Sequence, residues 1–311
     1  MSTPLPAADT GAPGPAPART PPGPGRMRRA LMFPGLRRAW GRSMSVRIGA
    51  SLLILICLAC ALVPVFWPDA PDNFVTAPFA PPSLAHPFGT DDLGRDVFVR
   101  VLVGGRLDIT IAVCVVALSC LAGTIIGTCA GASRRRWANL AVARLVDALI
   151  AFPYMVVILV LVVIVGPNAQ VGPVPRGLTA VLIAFLVLGW TFYARLSRAQ
   201  AMSIRQRDYI VAAEIVGYPR WRIIARHILP GVVPVAAAYA VADAILTMGA
   251  LSSFAFLGVG VQPPTPEWGA IMYEGRAYLG SAWWITVFPG VLLALTGFAL
   301  SLLADGLLPD E

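Results

Sequence analysis

RQRDYIVAAEIVGYPRWRIIARHILP, residues 205–230, is a charged, helix-prone stretch set between two long apolar runs. It is too polar to cross a bilayer and too patterned to be a slack loop. Arg205, Arg207, Arg220, Arg222 and Arg226 crowd it, while Ile210, Ala213, Ile215 and Val216 offer a small apolar face. Gly217 ends a first helix, and Tyr218-Pro219 sharpens the turn that follows. A short helix–turn–helix at the positively charged side of a membrane is suited to touching another protein there. It points to the transmission of motion and away from catalysis.

The runs on either side set the class. Of the 311 residues, 57% are hydrophobic and 13% charged, and mean hydropathy is +0.74. Several apolar runs reach the roughly 20 residues that cross a hydrocarbon core. An all-α integral membrane protein of six transmembrane helices is expected, with spans at 46–67, 107–131, 139–165, 178–196, 231–257 and 284–305. Residues 1–25, rich in Pro, Ala, Gly, Ser and Thr, cannot bury enough surface to fold and read as a disordered tail. Residues 26–45 add a basic approach suited to the membrane surface, and the transmembrane body runs over 46–311. The first apolar run begins near Val46 and is long enough to stay as an anchor rather than act as a cleaved signal.

Arginine sets the orientation. Nineteen of the 24 arginines lie before or at the start of span one, or in and bordering the segments after spans two and four, so both termini are expected in the cytoplasm. There is no lysine, which excludes a GxxxxGK[ST] phosphate loop and Schiff-base chemistry. If ATP drives this protein, another chain hydrolyses it. The basic charge tracks topology, so a lipid bilayer is an expected partner and nucleic acid is not. All five cysteines fall within spans, where a buried thiol serves packing, and the two histidines have no carboxylate cluster beside them. No metal or bound cofactor is expected in this chain.

Gly123, Gly127 and Gly131 recur every four residues, a spacing that lets helix backbones approach closely in lipid. On the outer side, Asp91, Asp92 and Asp96 flank Gly94-Arg95, and an Asx-type turn followed by a helix lying on the outer surface is expected. This loop and the segment 258–283 either form a docking rim for an external partner or seal the mouth of the bundle. Asp147 is expected to pair with Arg144 three residues before it, and Asp305 reads as an interfacial anchor.

Several motifs taken in order resemble the inner-membrane permeases of binding-protein-dependent ABC importers, of the OppC/DppC type. They are HPFGTDDLGRDV (86–97), RLVDALIAFP (144–153), Gly217 with RHILP (226–230), FLGVGVQPPTPEWG (256–269) and the FPG…LLADGL pattern over 288–307. The resemblance covers about residues 86–309. It implies a type I importer permease fold with a cytoplasmic coupling helix between spans four and five, seated in a cleft of an ATPase subunit. It also implies a homologous second permease, two ATPase subunits that bind ATP and Mg, and an external substrate-binding protein. By position, Asp208, Tyr209, Ala212, Ala213, Glu214, Gly217, Arg222 and Ile223 are assigned to the ATPase contact, in a segment of about 205–229. Gly89, Asp91, Gly94, Arg95 and Asp96 carry the external loop motif. The implied cargo is a dipeptide or oligopeptide, with nickel chelates, haem-like compounds or glutathione as alternatives. A secondary carrier fits less well, since no internal repeat is visible.

Two departures from the family pattern matter. Val211 stands where the family has glutamate before two alanines, and Glu214 lies about 300° further round the helix. Glu214 either stands in for the missing charge or the ATPase partner does without it. In span five Leu251 stands where an acidic residue is common, and Asp243 lies eight residues earlier, near mid-span. Asp243, with Met248, is assigned to the translocation path. Two roles for Asp243 stay open: a partner for a cationic group such as a peptide's amino terminus, or a hydrogen-bonded lock between helices.

Overall fold

A computed structural model of the chain describes residues 44–66, 70–166, 172 and 174–305. The expected tail and most of the basic segment, up to residue 43, lie outside the described residues, as does the side chain of Asp305. The described chain is helical, with two isolated β-bridges (Phe74 with Arg95, Thr90 with Asp96). Its helices are α1 (Met44–Phe66), α2 (Val97–Ala132), α3 (Arg136–Ile150), α4 (Tyr154–Val165), α5 (Leu178–Arg205), α6 (Asp208–Ile215), α7 (Arg220–Phe256), α8 (Trp268–Gly275) and α9 (Trp284–Asp305). Five of these, α1, α2, α5, α7 and α9, are long and apolar enough to cross a membrane, and α3 with α4 brings the number to six if the pair is one span.

That pair corrects the third expected span. Residues 139–165 are not one straight helix: α3 and α4 meet at an angle of 84° across Ala151–Pro153. Proline lacks an N–H and excludes the residue before it from helical backbone, so Phe152-Pro153 breaks the helix. The 12 residues of α4 rise only about 18 Å, less than a bilayer core of about 30 Å. Asp147, on α3, stands 3.9 Å from Arg195 rather than beside Arg144. Both partners are exposed, so the pair contributes little.

The second span is longer than expected. Its 36 residues begin at Val97, ten before the expected start. The helix after the Asp91–Asp96 turn is therefore the first part of α2 and not a separate helix on the surface. It is started by Asp96, whose side chain accepts hydrogen bonds from the N–H groups of Phe98 (2.8 Å) and Val99 (3.4 Å). One end of the bundle thus carries the loop 70–96 and the segment 257–283 (the loop end). The other carries α6 and the arginines around it (the basic end).

Helices α2 and α5 share the most extensive contact among the described residues. The glycine series makes it possible. A Cβ at Gly123 would lie 2.5 Å from that of Tyr193, one at Gly127 would lie 2.8 Å from Ala194 Cα, and one at Gly131 would lie 2.5 Å from the Arg198 carbonyl oxygen. Such distances leave no room for any side chain on the α2 face. On either side of this seam sit two apolar clusters. Ile111, Val115, Phe185, Leu188, Leu251 and Phe254 join α2, α5 and α7, with Ile158 of α4 packed among them. At the basic end Ala201, Ile204, Ile210, Ala213, Ile223, Ile228 and Val232 join α5, α6 and α7. Near its start α7 widens to a π turn over Ile224–Ile228, directly before Pro230, which has no N–H to offer the Arg226 carbonyl.

The seam gives a paired test. Gly127→Ala should destabilise the folded chain by about 1–3 kcal/mol, the usual cost of overpacking. Gly249→Ala should not, because nothing lies within 4 Å of a Cβ built there. Thermal unfolding in detergent checks the pair, and equal effects would show that the seam is not tight.

Candidate functional site

At the basic end, Arg207 leads into α6 and Gly217 closes it. Gly217 has φ +87° with open space around its Cβ direction, so glycine is required by backbone angle and not by crowding. Tyr218 N–H reaches back to the Ala213 carbonyl (3.1 Å) and Gly217 N–H to that of Glu214 (3.1 Å), which seals the helix end. Pro219 then starts α7.

The segment has two faces. Ile210, Ala213 and Ile223 are buried against α5 and α7 and hold it to the bundle. Asp208, Tyr209 and Ala212 are exposed, and so are Val211, Ile215 (81%), Val216, Tyr218 and Trp221 (66%). Arg222 is partly buried, and its guanidinium lies over the rings of Trp221 (5.5 Å) and Tyr218 (5.8 Å). The four apolar positions read from the sequence as one face are thus divided. Ile210 and Ala213 point into the bundle, while Ile215 and Val216 point out. Sequence reasoning also placed Ala213 and Ile223 at the partner contact, where the structure turns them inward, and it did not single out the exposed side chains of Val211, Tyr218 and Trp221. Large apolar side chains in a segment rich in arginine were the available signal.

Glu214 is engaged within the chain. Its carboxylate accepts from the Arg134 guanidinium at 2.5 Å, and Arg205 donates to the Ser133 carbonyl (2.9 Å). Both bonds tie the segment to the α2–α3 corner.

Asp243 sits midway along the apolar part of α7. Its Oδ2 accepts a 2.8 Å hydrogen bond from the Tyr193 hydroxyl of α5, so it links two helices. It also lines a cavity of about 630 Å³ walled by α2, α4, α5 and α7. Met248 does not line that cavity. It is buried with Ala112, Trp268, Ile271 and Ile285 on the other side of the helix.

At the loop end the motif residues lock two segments together. Gly89 and Gly94 have φ of +69° and +78°, and a Cβ at Gly94 would run into the Thr76 carbonyl. The Asp91 carboxylate accepts from the N–H groups of Leu93 and Arg95 (both 2.9 Å) and from Arg95 Nε (2.6 Å). Buried Arg100 reaches Glu274 of α8 at 3.1 Å and Asp91 at 3.5 Å, and Arg95 also reaches Glu274 at 3.5 Å. His86 Nδ1 lies 2.8 Å from Asp96 Oδ2. Asp91, Arg95 and Asp96 are all buried and tie the loop to α8, while Phe74, Leu84 and Leu93 of the same loop are exposed.

Glu267 starts α8, accepting from the Ala270 N–H at 2.7 Å, and is fully buried. Burial pushes its carboxyl above the ordinary range, opposed by the Gly269 and Ala270 N–H groups and by the Asp108 and Ser252 side chains. Burial likewise raises Glu274, against the pull of Arg100 and Arg95.

Residues 123–310 match the family described as the binding-protein-dependent transport system inner membrane component. The chain belongs to this family, as a permease subunit of the OppC/DppC type in an ABC importer. A Brucella suis biovar 1 (strain 1330) chain, whose name marks it provisionally as a peptide transport system permease protein, is 40% identical over 270 residues, 86% of each chain. The di/tripeptide transport system permease protein DppC of Pseudomonas aeruginosa (strain UCBPP-PA14) is 33% identical over 292 residues, covering 89% of this chain and 92% of its own. The glutathione transport system permease protein GsiD of Pectobacterium atrosepticum is 33% identical over 280 residues, 87% and 88% of the two chains.

Glu267 yields a pH prediction. Because its folded-state carboxyl is raised above the ordinary 4.5, the folded state holds the proton more tightly than the unfolded one. Its contribution to stability therefore falls as pH rises from 4.5 through the raised value. Glu267→Gln keeps an acceptor for Ala270 N–H without an ionisable group. The melting temperature of Glu267→Gln relative to wild type should thus increase as pH rises above 4.5. An unchanged gap would contradict the assignment.

Proposed function

We propose that this chain is one of two permease subunits in an ATP-driven peptide importer of the inner membrane. The relatives named for peptide, dipeptide or tripeptide transport support that cargo, and the relative named for glutathione, itself a small peptide, supports the nearest alternative. The partners are a homologous permease, two ATPase subunits that bind ATP and Mg, and an external binding protein that delivers the cargo. By the distribution of arginine, the basic end and both termini face the cytoplasm.

The observation that carries this role is the two-faced segment 208–223. Its inner face is fastened to α5 and α7, while Ile215, Val216 and Trp221 stand out as an apolar patch. Contiguous exposed apolar surface marks an interaction site. We assign this patch, with Asp208, Tyr209 and Ala212, to a cleft of one ATPase subunit. Gly217 shapes the turn, Arg222 braces its aromatic side chains, and Glu214 holds the segment through Arg134. Closure of the ATPases then pushes on a block that is part of the bundle wall. ATP chemistry stays on the partner chains, and this chain is a transport subunit and not an enzyme.

Ile215→Asp and Trp221→Ala test this. Each places no change in the core, so the chain should fold and pair with its permease partner. Each should lower ATP-driven uptake by more than tenfold, or about 1.4 kcal/mol of coupling, with loss of co-purifying ATPase in Ile215→Asp. Uptake at the wild-type rate in both variants would remove the assigned contact.

A further inference from the structure

The cavity beside Asp243 holds a carboxylate oxygen that the packing of this chain leaves unused. Asp243 gives one carboxylate oxygen to Tyr193, its other oxygen accepts no hydrogen bond from the described residues, and none of the ion pairs among them involves it. A carboxylate at mid-span without a cation is costly, and that cost is offset by a ligand that donates hydrogen bonds and carries positive charge.

The rest of the wall narrows the class of cation. Tyr154, Phe185, Phe192 and Tyr239 line the cavity, and Tyr239 packs edge-on to Tyr193 at 5.0 Å. Aromatic faces around a single carboxylate suit an ammonium group on an organic body. A metal ion needs more ligands, and no three His, Cys, Asp or Glu side chains are grouped as a metal site among the described residues. The cavity volume of about 630 Å³ is in the range of sites for small organic ligands.

We propose that Asp243 and the aromatic wall around it form a seat for the amino-terminal ammonium group of a peptide in transit. Four helices build it: Val115 from α2, Tyr154 from the start of α4 just past the 84° break, Tyr193 from α5 and Asp243 from α7. The ammonium group donates to the unused Asp243 oxygen and lies against an aromatic face. Tyr193 keeps the carboxylate turned toward the cavity. This inference deepens the peptide-importer reading and rests on it.

The test is equilibrium binding to the purified permease–ATPase assembly without its binding protein, using labelled Ala-Phe and N-acetyl-Ala-Phe. Acetylation removes the charge and two donors while keeping the body of the peptide. Ala-Phe should bind at least about tenfold more tightly, the scale of a hydrogen bond to a charged group. Asp243→Asn should erase the preference. Leu246→Lys, at an exposed position on the cavity wall one turn along α7, should erase it too by supplying an ammonium group from within. It keeps the test valid if Asp243→Asn fails to assemble. Equal binding of the two peptides, binding of neither, or a preference that survives either variant would overturn the seat. Failure of the wider reading shows elsewhere, as wild-type vesicles with binding protein and ATP that import no peptide although the preference persists.

Discussion

Helices α2 and α5 touch backbone to backbone because Gly123, Gly127 and Gly131 put nothing between them, and this contact fixes both working parts of the chain. In lipid, burial of apolar surface does not drive helices together, so close packing has to. Gly123 seats Tyr193, whose hydroxyl holds Asp243 at the cavity. Gly131 seats Ala201, which belongs to the cluster that fastens Ile210 and Ala213 of the coupling segment. Along the same helix pair, then, one end of the glycine series positions the cavity carboxylate and the other anchors the surface proposed to meet the ATPase.

The loop end is held by different means. There, buried charges replace close packing: Arg95 and Arg100 share Asp91 and Glu274, joining the loop before α2 to α8. Buried ion pairs contribute little net stability, yet losing one partner leaves a charge stranded. Such a network therefore enforces one arrangement more than it stabilises the fold. Trp268 adds to the join, its ring N–H bonded to the Val101 carbonyl (2.7 Å) and its backbone N–H to Asp108 (3.1 Å). The bundle is thereby closed at the loop end while α7 and the bent α3–α4 pair border the cavity.

Much of this was legible in the sequence because it follows from period and composition. Five apolar runs gave five helices near their expected places, and glycines every four residues gave the α2–α5 contact. Gly217 and Tyr218-Pro219 gave the turn of the coupling segment. What failed needed information that one-dimensional pattern does not carry. Hydropathy does not see the bend at Pro153, because both halves are apolar. Nor does it see that α2 starts at Val97, because Arg100 is polar in sequence but neutralised by Asp91 and Glu274, distant or on another element. Faces were the other loss. Helix α6 is only eight residues long, too short for its period to say which apolar side chains turn in, and Met248 and Asp243 share a helix but not a side.

The central claim is that the coupling segment and the cavity wall move as one body. It is tested most directly by a distance between spin labels at Arg207, where the chain enters α6, and Leu121, both exposed, introduced through an unnatural amino acid so that the native cysteines stay. Pulsed electron paramagnetic resonance on the assembled importer should give one narrow distance, the same without nucleotide and with ATP bound. A distance that shifts or broadens between those states would show the segment sliding on the bundle, and the rigid connection through α2 and α5 would be wrong.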